Sequence, residues 1–196
     1  MSRAVDAFLA LIATAVPPGL RFGPRAGILP AEEVEARVRR FAAGQGLDAQ
    51  RAEALEALAQ VWHDHEPEAH VILQRHEGES DYDYVHAILH RREGDFGNAG
   101  YWFTQVGVHP VHQQLVQAAR AVDLDCEADG AFAPSAFVSL VRDYAGDAPR
   151  GKTLDHARWA DDLVSVQDAE FRLLAGHLIG KDGRPHPEVG LSSRSG

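Results

Sequence analysis

The chain is short of cysteine, of basic surface and of long apolar runs, and each shortage removes a class of protein. Its single cysteine, Cys126, excludes an intrachain disulfide and any cysteine-rich zinc module. That thiol lies beside Asp125, Glu127 and Asp129, and neighbouring carboxylates raise a thiol pKa, which makes a poor nucleophile. No stretch reaches the roughly 18 apolar residues of a membrane span. With 29 acidic against 19 basic residues and a formal net charge of -10, the chain repels phosphate backbones, and no basic face compensates. Neither nucleic acid nor a membrane is an expected partner. The G-x-S-x-G elbow and the G-x-G-x-x-G dinucleotide fingerprint are missing, and no convincing alternating strand pattern occurs.

What the chain does have is helical periodicity. At 196 residues and 45% hydrophobic content it can build one substantial core. Residues 1–16 contain an apolar run and an Ala13-Thr14-Ala15 segment that together faintly resemble a signal peptide. Asp6 interrupts the run, however, and Val5, Phe8, Leu9, Ile12 and Val16 keep helical spacing, so a buried amphipathic helix and a cytoplasmic location are expected. Pro17-Pro18 stops that helix, and a loop rich in glycine and proline follows. Further helices are expected from Ala31, from a cap at Asp48, around Pro67, over 82–92, 98–106, 111–122 and 134–144, and from Thr153 to about Ile179. The expected fold is all-α, a compact multi-helix domain of antiparallel helical hairpins over residues 1–179, with 180–196 as a flexible C-terminal tail.

Histidine is the most unevenly distributed residue. Eight of the 11 histidines lie between His63 and His112, and a neutral imidazole is the commonest metal ligand. His86 and His90 stand four apart on an expected helix, which puts both rings on one face a turn apart. That is the spacing by which a helix offers two nitrogens to one metal, although Ala87 stands where H-E-x-x-H has its glutamate. Packing of the neighbouring helices could bring His70 and Asp64 to the same place, with His63 and His65 close by. His70, His86, His90 and Asp64 are therefore the candidate ligands of a divalent transition metal, zinc, iron, manganese or nickel. Such a site suits hydrolysis or proton transfer, with His86, His90 and Arg91 as the candidate catalytic residues.

Next to the histidines runs Arg91-Arg92-Glu93-Gly94-Asp95. Arginine forks bind carboxylate or phosphate bidentately, so Arg91 and Arg92, with the Asn98 amide, could hold a small anionic ligand; the alternative is an internal salt-bridge network in which Arg91 or Arg92 pairs with Glu93 and Asp95 and fixes the turn. Three consecutive aromatics, Tyr101, Trp102 and Phe103, cannot all face inward from one helix, which makes Tyr101 and Trp102 candidate ligand contacts. His109, His112, His156 and His177 are read as helix-start or core-edge residues.

Gly94-Asp95-Phe96, then Ala99, then Tyr101-Trp102-Phe103 and then Pro110 resemble the latter half of a tetratricopeptide repeat. The resemblance covers one hairpin, about residues 81–110, with no second copy at the repeat period. It implies a close-packed antiparallel pair of helices and a protein-interaction module as the alternative to a binding pocket. The stretch from His86 to Pro110 also resembles a group of bacterial proteins, a resemblance that implies no activity.

Two remaining motifs are weaker. Gly146 to Thr153 matches the spacing G-x-x-x-x-G-K-[ST], but Pro149 lacks an N–H, Asp147 repels phosphate, and a helix rather than a strand precedes it. The acidic loop through Asp123, Asp125, Glu127 and Asp129 lacks the glycine and closing glutamate positions of an EF-hand. The sequence thus points to a small helical protein that binds a small anionic molecule or a divalent metal. A homo-oligomer is compatible with it.

Overall fold

The computed structural model describes residues 2–146 and 156–180. The formal phosphate-loop match, the start of the last helix at Thr153 and the expected tail fall wholly or mostly outside the described residues. Nine α-helices are present among them, and the fold is all-α. No described helix is long and apolar enough to cross a membrane.

Helix α1 (Arg3–Leu11) begins at Ser2, whose hydroxyl accepts from the Val5 amide, and it buries Val5 and Phe8. It ends at Ile12, earlier than its apolar spacing implies, and residues 13–30 form a loop. Helix α2 (Ala31–Gln45) closes on Gly46 in the left-handed region at φ +68, where glycine carries no Cβ penalty. Asp48 then caps α3 (Ala49–Trp62), its carboxylate accepting from the Arg51 amide at 2.8 Å. Pro67 sits in the first turn of α4 (Glu66–Leu73), where its missing N–H costs nothing.

Helices α5 (Ser80–Glu93) and α6 (Phe96–Val106) form the expected antiparallel hairpin. Gly94, at φ +87, ends the first, and the Asp95 carboxylate caps the second by accepting from the Asn98 amide at 3.1 Å. Helix α5 packs against α3, α4 and α6, and every residue from Tyr82 to Arg92 is buried. A helix enclosed on all sides is normally apolar all round. This one instead carries Asp83, His86, His90, Arg91 and Arg92 inward, so its polar groups need partners from other elements.

Beyond it, α7 (Pro110–Ala121) leads into a minimal antiparallel hairpin, β1 (Glu127–Ala128) with β2 (Ala131–Phe132). No strand is expected from the sequence. The pair forms because Asp129 and Gly130 both take positive φ, +51 and +79, as a tight two-residue hairpin turn requires. Helices α8 (Pro134–Ala145) and α9 (His156–Ile179) complete the molecule. Helix α9 lies against α1, α3, α7 and α8, and one core joins them all.

Candidate functional site

Helices α4 and α5 bring three imidazoles together. His70 comes from α4, and His86 and His90 come from successive turns of α5. Ring centroids are 4.9 Å apart for His70 and His86, 5.3 Å for His70 and His90, and 4.8 Å for His86 and His90. One ligand nitrogen from each lies within 4.8 Å of the others. Burial is graded across the group. His86 and His90 are 2% and 6% exposed, whereas the His70 side chain keeps 28% of its surface, so solvent reaches the cluster from the α4 side.

The three rings differ in what holds them. His86 stacks on the Trp102 indole at 4.1 Å and 19°, and neither of its ring nitrogens has a hydrogen-bond partner although both are buried. Leaving a polar group buried and unpaired costs about 1–3 kcal/mol. Burial, then the charges of His90 and His70, pushes the His86 pKa down to about 3, and the ring stays neutral. His90 is oriented differently, with Nδ1 at 2.5 Å from Glu93 Oε2. When that nitrogen donates its proton to Glu93, Nε2 is left with its lone pair, the arrangement by which an outer carboxylate prepares a histidine for metal. Glu66, one turn before His70, lies 3.7 Å from His70 Nδ1. Its pKa is raised by burial, and further by the charge and hydrogen bond of Glu93.

The other expected site residues lie elsewhere. Asp64 does not join the imidazoles: it takes φ +64 just past α3, and its carboxylate pairs with Arg25 at 2.8 Å and with Arg92 at 2.5 Å. Arg92 is fully buried, donates also to the carbonyls of Gly19 and Val61, and lies 4.4 Å over the Phe22 ring. Its guanidinium anchors the 13–30 loop. Arg91 is equally buried; it pairs with Glu170 and stands 4.7 Å over Phe137. Both arginines are held in ion pairs inside the chain, but with Glu170 and Asp64 rather than with the Glu93 and Asp95 of the expected turn-locking network. The Asn98 side chain donates to Asp95 Oδ2 at 2.8 Å and steadies the turn. His63 and His65 clasp Leu29, His63 Nδ1 accepting its amide and His65 Nε2 meeting its carbonyl. Of the two expected aromatic contacts, Trp102 forms the wall behind His86, while Tyr101 stays 55% exposed with its ring edge-on to Trp102.

A second polar cluster escapes sequence reasoning. Asp81, in the first turn of α5, meets His109 Nε2 at 2.9 Å and His177 Nε2 at 3.0 Å through one oxygen, Oδ1. Burial alone pushes the Asp81 carboxyl up, but hydrogen bonds from both imidazoles and their charges hold it well below the usual carboxylate range. Two histidines and a carboxylate are also a metal-ligand set. The His109 tautomer argues against that use: Nδ1 accepts the Val111 amide, so Nε2 carries the proton and donates it to Asp81. A metal on Nε2 would turn that ring into an anion. The only signal in the sequence is the position of His109 before Pro110, the form of a helix cap.

Comparison with protein-family models, with curated proteins and with solved structures finds no match. The likeness of residues 81–110 to a tetratricopeptide hairpin therefore stays one of local form.

Proposed function

We propose that the protein binds a divalent transition metal through His70, His86 and His90, and that the centre carries out metal-assisted hydrolysis. The observation behind this reading is His86, a neutral, buried imidazole with both nitrogens unpartnered, standing between two other imidazoles. A metal bond would supply a partner to the one nitrogen of His86 that carries a lone pair. Metal–nitrogen bonds of about 2.0–2.1 Å bring tetrahedral donors to about 3.4 Å from one another. The donors lie within 4.8 Å of one another, and binding would draw them to that spacing.

Three imidazoles from protein, with solvent on the remaining side, are the donor set of catalytic rather than structural zinc, which keeps one position for water and lowers the pKa of that water to about 7. Glu93 orients His90, and Glu66 stands where a carboxylate can accept a proton from the solvent side. With Arg91 and Arg92 buried in ion pairs and two glutamates at the rim, the site favours neutral or cationic substrates over anions. The docking-module alternative is weaker, because Trp102 and Phe103 are buried within the chain and leave only Tyr101 of the three aromatics exposed.

Untagged protein titrated with zinc or cobalt(II) is expected to retain one equivalent after dialysis, and His86→Ala and His90→Ala to retain none. Cobalt gives a visible band that reports its coordination. Failure of both metals to bind stoichiometrically overturns the reading. Hydrolysis of p-nitrophenyl acetate, measured on the zinc-loaded protein against His86→Ala, tests the catalytic half separately.

A further inference from the structure

The three imidazoles of α4 and α5 are held by different means. His90 has the Glu93 carboxylate 2.5 Å from Nδ1. His70 has Glu66 3.7 Å from Nδ1 and the Gln74 side-chain amide 3.4 Å from Nε2. His86 has no hydrogen bond at either nitrogen. A histidine that ligates a metal almost always gives its other N–H to a carboxylate, a carbonyl or water, and that bond fixes both the orientation of the ring and its tautomer. For His86 the orientation has to come from elsewhere.

It comes from a ring face. The Trp102 indole, carried by α6, lies 4.1 Å from the His86 ring and 19° from parallel, and the His90 ring lies 4.8 Å away at 20°. The torsion that turns a histidine ring about its Cβ–Cγ bond is intrinsically broad. A flat neighbour at stacking distance narrows it, because turning the ring out of parallel gives up the contact between faces. Stacking fixes only the plane of the ring; which nitrogen carries the proton stays open. Trp102 is itself well fixed. It is 9% exposed, Tyr101 packs edge-on to it with centroids 5.1 Å apart, and the turn at Gly94 and Asp95 sets α6 against α5. His90 is a candidate ligand, so of the two rings stacked on His86 only Trp102 lies outside the donor set.

We infer that Trp102 is a positioning residue of the candidate metal centre, its indole face holding the plane of the His86 ring in place of the outer hydrogen bond that Glu93 gives His90. This inference rests on the metal reading above. The two ligands of α5 then differ in kind: Glu93 selects the tautomer of His90 in advance, whereas the metal selects that of His86.

Trp102→Phe and Trp102→Met test it as a pair. Both replace the indole by a smaller apolar side chain and so lower stability, but only the first keeps a flat aromatic face. In the metal-free native protein the His86 ring protons should resonate upfield, shifted by the ring current of the indole. They should stay upfield in Trp102→Phe and return to ordinary positions in Trp102→Met. Cobalt(II) affinity should fall about tenfold in Trp102→Met, as on losing an outer-shell partner, and its visible band should move because His86 no longer meets the metal in the same orientation. Trp102→Phe should restore most of the affinity and the native band, a rescue that loss of volume alone does not predict. No upfield shift in the native protein, undiminished cobalt binding by folded Trp102→Met, or equal losses in the two variants overturns this inference and leaves the metal reading standing. Absence of stoichiometric metal in the native protein overturns the metal reading, and this inference with it.

Discussion

At the scale of single residues, polar groups inside this protein divide into those that hold the fold and those without a partner in the chain. Arg91 and Glu170 are the first kind, both wholly buried and also tied to Gln167 and Tyr84. Removing one partner of such a pair leaves an uncompensated buried charge, whereas replacing both by apolar residues removes the desolvation penalty as well. Glu170→Ala is therefore expected to lower stability in urea unfolding by about 3–5 kcal/mol, and the Arg91→Met, Glu170→Leu double variant to recover most of that loss. His86 is the second kind, and Glu93 acts on the same site through His90. Glu93→Gln should leave the helical signal unchanged and weaken cobalt binding by about 10–100-fold, the usual effect of losing an outer carboxylate.

The single residues also show what the sequence could reveal. The spacing of His86 and His90 was legible because a helix places residues four apart on one face whatever surrounds it. The roles of Arg91 and Arg92 were not. Their neighbours in the sequence, Glu93 and Asp95, are not their partners; Glu170 and Asp64 are, and only the packing of α9 and the turn after α3 brings those acids to them. Asp64 was misplaced for the same reason, since its left-handed backbone turns the carboxylate toward Arg25 and Arg92.

At the scale of elements, local chemistry was readable and long-range assembly was not. The α5–α6 turn follows from Gly94 and Asp95, whose effects reach only a few residues. Asp95→Ala removes the cap of α6 and the partner of Asn98, and is expected to cost about 0.5–2 kcal/mol in thermal or urea unfolding. By contrast, the cluster of Asp81, His109 and His177 draws on three separate helical segments, and no spacing rule connects them. Two helix-terminal histidines add a pH dependence. His63 ends α3 and His112 lies in the first turn of α7; burial pushes both from 6.5 down to about 4. The unfolded chain takes up these protons more readily than the folded one, so acid favours unfolding. Their contribution is complete above about pH 6.5 and is lost as pH falls through about 4. Urea midpoints measured from pH 7 to pH 4 should fall, and His63→Leu should flatten part of that slope.

At the scale of the whole molecule, the all-α architecture and its single core follow from periodicity and length, and the small β-hairpin from an Asp-Gly pair that sequence reasoning passed over. The enclosed position of α5 has a consequence in time. Amide hydrogens exchange with solvent only when their helix opens, and opening free energies rise toward the global value in the best-packed elements. With all of Tyr82 to Arg92 buried, α5 should be the slowest helix to exchange by mass spectrometry, while the eight-residue α4, which carries the solvent-exposed Val71, exchanges early. His86 and His90 thus ride on the stiffest part of the protein and His70 on a looser one. Zinc loading should slow exchange in α4 and leave α5 unchanged, so capture and release of the ion would keep pace with the breathing of α4, with the rest of the molecule staying folded.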